Sequence, residues 1–143
     1  MILVDANILV YAHVENFDQH AAARTWLDEH LGGTAKVGLP WESLSAYIRL
    51  VSNPRIFAQP LRAADAMAQV RDWLSRPAAW TPGPTSRHAD LLAALLAVDG
   101  VRADLVPDAH LAAIAMGHGL TLMSNDGDFA RFPGLRWENP LAA

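Results

Sequence analysis

Residues 1–10 read MILVDANILV: aliphatic residues run directly into Asp5, Asn7 follows, and an apolar run resumes at Ile8. A short continuous apolar run such as ILVD is what a strand buried on both faces of a parallel sheet requires. An ionised carboxylate closing such a strand is costly unless something holds it. The question set by Asp5 is therefore what it holds, and the rest of the chain has to answer it.

Working outward, KVGLP (36–40) reads as a second short strand, with Pro40 opening the helix PWESLSAYIRLV before Ser52-Asn53-Pro54 stops it. Between the two strands, residues 18–31 place Ala22, Trp26, Leu27 and Leu31 at helical spacing, and Gly32-Gly33 ends that helix. AADAMAQVRDWLSR (63–76) is a further amphipathic helix closed by Pro77, and AAWTPGP (78–84) a short strand and turn. A helix is predicted from near Ser86, as N-cap, through SRHADLLAALLAV, followed by a turn around DGVRAD (99–104). PDAHLAAIAMGHG (107–119) has Pro at its start and Gly at its end; LTLMS (120–124) and LRWENP (135–140) are strands. Strands alternating with helices long enough to cross over predict an α/β sandwich with a mainly parallel sheet.

The chain has 143 residues, 52% of them hydrophobic and 18% charged, which fits one folded domain over residues 1–143 and excludes a disordered chain. Cys is absent, so disulfides and thiolate metal sites are excluded, in keeping with a reducing cytoplasm. The apolar stretch LLAALLAV is far short of a bilayer span, and no basic segment precedes an apolar one at the start, so neither a membrane anchor nor a secretory leader is expected. Net charge is −4 and Lys36 is the sole lysine, a composition unsuited to non-specific phosphate binding. A nucleic-acid partner would need clustered Arg, a second protomer, or metal ions to offset the acids.

Placed on this map, the carboxylates fall in a pattern. Asp5 ends the first strand, Glu42 and Asp108 lie in first turns of helices, and Asp126 and Asp128 follow the strand LTLMS. Strand carboxyl ends and helix amino ends share one edge of a parallel sheet, the edge where ligands bind. Each acid alone has an ordinary reading, as a macrodipole partner for Glu42 or Asp108 and as a turn signal in SNDGDF. It is their joint placement that points to a site. Converging carboxylates repel one another unless protonated or neutralised, and with no Cys and no His pair the hard oxygen donors suit Mg²⁺ or Mn²⁺. One such ion, or two roughly 4 Å apart, activates a water and stabilises a leaving oxygen in phosphodiester hydrolysis. Asn7 and Ser124 are neutral neighbours suited to hydrogen-bonding a ligand, a water or a phosphate.

ILVDANILVYA, Glu42 within LPWESLSAYIRLVSNPRIF, LVPDAHLAAIAMGHG and LMSNDGDFARFPGLRWENPL together resemble the PIN-domain family, specifically its VapC-type toxins, in order along nearly the whole chain. The resemblance implies a three-layer α/β/α sandwich around a mainly parallel sheet of about four or five short strands. It implies an Mg²⁺- or Mn²⁺-dependent endoribonuclease that cuts structured RNA such as tRNA or rRNA. It also implies a homodimer neutralised by a VapB-type antitoxin, with promoter DNA contacted only through that antitoxin. By motif it assigns Asp5, Glu42, Asp108 and Asp126 to metal binding and water activation, with Asp128 as second choice and Asn7 and Ser124 in support. Ser124 stands where the family often has Thr or Ser, Asn125 beside it is unremarkable, and Pro107 departs from the usual capping residue.

Other side chains carry less. His110 flanks Asp108 or faces solvent, His118 sits at a helix carboxyl end as a macrodipole partner, and His88 with Arg87 either approaches RNA or is solvated. Trp41, beside Glu42, is read as packing. Arg49 and Arg55 meet phosphate, an acidic partner, or exposed salt-bridge partners. The apolar faces of the helices around residues 40–51 and 62–76 exceed what one sheet face covers, hence the expected homodimer and antitoxin groove. A phosphatase with Asp5 as nucleophile would want a second acid where Asn7 stands, and a lysine that is missing. A catalytically silent RNA- or partner-binding module, and a DNA nuclease of the same fold, are the remaining alternatives.

Overall fold

In the computed structural model, which describes residues 1–142, strand β1 (Ile2–Val4) lies at the centre of a five-stranded parallel sheet. On one side it pairs with β2 (Val37–Gly38), which pairs in turn with β3 (Ala79–Trp80). On the other it pairs with β4 (Thr121–Met123), which is followed by β5 (Trp137–Glu138), giving the order β3-β2-β1-β4-β5. The chain thus builds outward from β1 to β3, then returns to the other side of β1. The switch point lies between β1 and β4, and this is where an open parallel sheet offers a ligand crevice at its carboxyl edge.

Successive residues of a strand point to opposite faces. Val4 packs on one side with helices α1 (Ala6–His13), α2 (His20–Leu31), α3 (Trp41–Val51) and α4 (Ala63–Leu74). Leu3 packs on the other with α5 (His88–Leu96), α6 (Val106–His118), Phe129 and Phe132. Both residues are fully buried, and the result is the expected α/β/α sandwich. At the β1–β2 crossing the chains come close: a Cβ on Gly38 would stand 3.0 Å from Leu3 Cδ1 and 2.9 Å from Pro82 Cγ.

The element that the apolar pattern does not announce is α1. It follows Asp5 without a linker, and Ala6, Ile8, Leu9, Val10 and Ala12 are all buried. A helix covered on most sides shows no amphipathic stripe, so its sequence looks like a continuation of the strand. Boundaries also shift: the strands are shorter than their apolar runs, and several helix ends move by one or two residues. Helix α2 begins at His20 rather than Asp18, and Ala23, not the exposed Ala22, shares its buried face with Leu27 and Leu31. Helix α5 is preceded by Arg87 without a side-chain cap, so Ser86 is not the N-cap.

The apolar faces of α3 and α4 are satisfied inside the chain. Leu44, Tyr47 and Val51 of α3 and Ala66, Val70 and Trp73 of α4 belong to one buried cluster. The large apolar residues that remain exposed are instead Met1, Trp41, Ile56, Leu96 and Val106. Gly119 ends α6 in the left-handed region (φ 68°), turning the chain into β4. Among the described residues, no helix is long and apolar enough to cross a membrane.

Candidate active site

Asp5 is the hinge between β1 and α1. Its backbone N–H still belongs to the sheet, donating to Met123 O at 3.0 Å, while its Oδ1 accepts from Ala6 N at 2.8 Å at the start of the helix. That double duty fixes the side chain at the switch point. Its second oxygen, Oδ2, accepts from the Ser124 hydroxyl at 2.7 Å, from just beyond β4.

Ser124 is wholly buried and its hydroxyl is saturated. A hydroxyl has one hydrogen and two lone pairs. The hydrogen goes to Asp5, and the lone pairs accept from Asn7 Nδ2 at 3.1 Å and Asp126 N at 3.0 Å. The Ser124 carbonyl in turn accepts from Trp137 Nε1 at 3.0 Å, tying the site to β5. Asn125, unremarkable in sequence, is the second tie: its N–H donates to Asn7 Oδ1 at 3.3 Å and its Oδ1 accepts from Asn139 Nδ2 at 2.9 Å. Nothing in local spacing signals this bridge.

Three acids converge in front of this scaffold. One carboxylate oxygen each from Asp108, Asp126 and Asp128 lies within 4.8 Å of the others. Asp108 comes from the first turn of α6, whereas Asp126 caps the short 3₁₀ turn Gly127–Arg131, its Oδ1 accepting from Asp128 N at 2.9 Å. Asp128 is exposed and has Arg131 at 3.5 Å. The crowding shows in the protonation equilibria. Burial first, then the charges of Asp126, Asp5, Asp128 and Asp104, push the Asp108 carboxyl from 3.8 to about 6. Burial also raises Asp5, and Asp126 adds to the rise, while the Ser124 and Ala6 hydrogen bonds pull the other way. An all-oxygen donor set whose members resist ionising together fits a hard divalent cation.

Glu42 is placed differently. Its Oε2 accepts from His110 Nε2 at 2.7 Å, and it is not among the charges that raise Asp108. His110 therefore flanks the site instead of facing solvent, and His88 reaches it with Nε2 2.9 Å from His110 Nδ1. Arg87 turns away to the Met116 and Gly117 carbonyls. His118, in the last turn of α6 as expected, donates to Gly83 O at 2.7 Å with its ring edge-on to Trp80. Trp41 is not packed: it is 49% exposed beside Glu42. Arg49 and Arg55 take part in none of the ion pairs among the described residues.

The acid cluster is graded in exposure: Asp108 and Asp126 are half-buried and Asp128 is exposed. A cavity of about 620 Å³ lined by His13, Arg24, Phe57, Trp73 and Arg76 shares no residue with it.

Comparison with known proteins places this geometry in context. The family model described as PIN domain matches residues 2–135. Ribonuclease VapC37 of Mycobacterium tuberculosis is 45% identical over 142 residues, covering 99% of this chain and 99% of that protein. A chain of VapBC2 from Rickettsia felis, in a complex with a DNA fragment from their promoter, superposes with a TM-score of 0.71 at 20% identity, over 97% of this chain and 98% of that one. Mycobacterium tuberculosis VapC20, described as a sarcin-ricin loop cleaving toxin, gives 0.68 at 22% identity, over 95% of this chain and 99% of that one.

Proposed function

This chain belongs to the PIN-domain family, among its VapC-type members, and from that premise we propose that it is a toxin endoribonuclease that hydrolyses RNA phosphodiester bonds with Mg²⁺ or Mn²⁺. The observation that carries the proposal is the convergence of Asp108, Asp126 and Asp128 beside Asp5 at the β1–β4 switch point. Its 45%-identical relative is named a ribonuclease, which supports RNA as the substrate class. Structured RNA such as tRNA or rRNA is the proposed target.

Asp108, Asp126 and Asp128 would hold the cation, with Asp5 adding charge from the Ser124 scaffold. When bound, a divalent cation supplies the positive charge that polarises a phosphoryl oxygen and eases ionisation of a water. The chain's own contribution is orientation. Ser124 and Ala6 fix both oxygens of Asp5, Ser124 fixes the Asp126 backbone, and Asn7 and Asn125 brace the two against each other. Glu42 offers a carboxylate from α3 on the same edge.

A VapB-type antitoxin is proposed as the regulatory partner, its complex contacting promoter DNA, as the Rickettsia felis complex does. A homodimer is proposed through α5, where Leu95 alone is buried, Leu91 and Leu92 are half-covered and Leu96 is exposed. The protein is proposed to act in the cytoplasm. Incubating it with total RNA and Mn²⁺ or Mg²⁺ should give discrete cuts that vanish with EDTA and in Asp126→Asn. Cuts that persist in both controls would overturn the metal-dependent mechanism, and cleavage of DNA alone would overturn the substrate.

A further inference from the structure

Glu42 stands apart from the aspartate cluster, and its neighbours are imidazoles. An unbroken chain of hydrogen bonds runs from α5 through α6 to α3: His88 Nε2 to His110 Nδ1 at 2.9 Å, then His110 Nε2 to Glu42 Oε2 at 2.7 Å. The two rings meet edge-on, with centroids 4.8 Å apart and planes at 78°. A carboxylate can only accept, so His110 must carry its hydrogen on Nε2.

The direction of the second bond follows from its far end. His88 Nδ1 is buried without a hydrogen-bond partner. A buried N–H with no acceptor is the rarer and costlier orphan, whereas a bare lone pair costs less. The hydrogen of His88 therefore sits on Nε2 and points at His110, whose Nδ1 accepts. Each ring's tautomer is set by the bond its other nitrogen makes.

We propose that His110, oriented by His88, is a positioning residue that fixes the Glu42 carboxylate at the α3–α6 seam, with Oε2 bonded and Oε1 available at the substrate edge. The Glu42 and His110 side chains are 36% and 31% exposed, so without this bond a glutamate in the first turn of α3 would be free to sample solvent. His110 acts on the reaction only through Glu42, and this kinetic consequence rests on the nuclease reading above.

The tautomers are testable without metal or RNA. Long-range ¹H–¹⁵N NMR on the full-length, metal-free protein should show both His88 and His110 protonated on Nε2. In the double variant Glu42→Leu/His88→Ala, which removes the bonds at both ring nitrogens, His110 should revert to an averaging tautomer mixture. A wild-type His110 with its hydrogen on Nδ1, or one that averages freely, overturns the proposal.

The kinetic arm compares His110→Ala with His110→Gln, whose amide nitrogen reaches the same place. His110→Ala should lose about 10- to 100-fold in kcat with KM for RNA within about twofold, and His110→Gln should recover most of the loss. Equal losses in both, or a loss confined to KM, overturn it. His88→Ala, with a milder kcat defect that His88→Gln relieves, covers the case in which His110→Ala does not fold. Absence of cleavage by the wild type would defeat the nuclease reading, while the NMR result would still decide the positioning of Glu42.

Discussion

Replacing Asp108 by asparagine should stabilise the metal-free fold while abolishing cleavage. The Asp108 carboxyl is raised from 3.8 to about 6 by burial and by four neighbouring aspartates, and no hydrogen bond opposes the rise. A folded-state value above the unfolded one means that the native protein binds the extra proton. The associated stability is present below about pH 4 and is lost as pH rises through about 6. The full shift corresponds to about 3 kcal/mol at 1.36 kcal/mol per pH unit. Asp108 retains contact with solvent, and screening reduces this to about 1.5 kcal/mol. The substituted amide carries no charge and loses no hydrogen bond, so the variant should keep that increment at pH 7.

Urea unfolding in EDTA from pH 4 to 8, followed by Trp fluorescence, measures it. Wild type and D108N should agree near pH 4 and separate by about 1.5 kcal/mol in favour of D108N by pH 7. Saturating Mn²⁺ should reverse the order, since a ligand at 100 times its Kd stabilises by about 2.7 kcal/mol and the variant has lost a ligand. Parallel pH profiles, or a D108N less stable than wild type in EDTA at pH 7, would refute the electrostatic account of the site.

Ser124→Ala strands three groups at once, Asp5 Oδ2, Asn7 Nδ2 and Asp126 N. It should cost about 2–4 kcal/mol in denaturant unfolding, and Ser124→Thr much less. Asp126→Asn should remove most of the Mn²⁺-induced rise in Tm seen by calorimetry, whereas Asp128→Asn, exposed and near Arg131, should remove less. Gly119→Ala forces a Cβ into φ 68° and should cost about 1–2 kcal/mol, with cleavage per folded molecule unchanged.

Local signals in the chain are legible wherever one residue's neighbours in sequence are also its constraints. Pro40, Pro107 and Gly119 bracket α3 and α6 because dihedral preferences and missing N–H groups act over one turn. Helix α1 escaped because burial on most sides erases the periodicity that reveals a helix. Trp41 escaped for the converse reason: residue type alone favours packing, and only the assembled surface leaves it 49% exposed.

The sequence by itself determined the α/β class and put Asp5, Glu42, Asp108, Asp126 and Asp128 on one sheet edge. Strand ends and helix starts are local events, and in a parallel sheet they face the same way. Only the tertiary structure decided which acids meet. Asp5 and Ser124 are 119 positions apart, and they touch because β4 returns to pair with β1. The same packing draws Asp108, Asp126 and Asp128 together and gives Glu42 to His110, 68 positions away. Side-chain distances of a few ångströms depend on strand order and helix docking, and no residue encodes those alone.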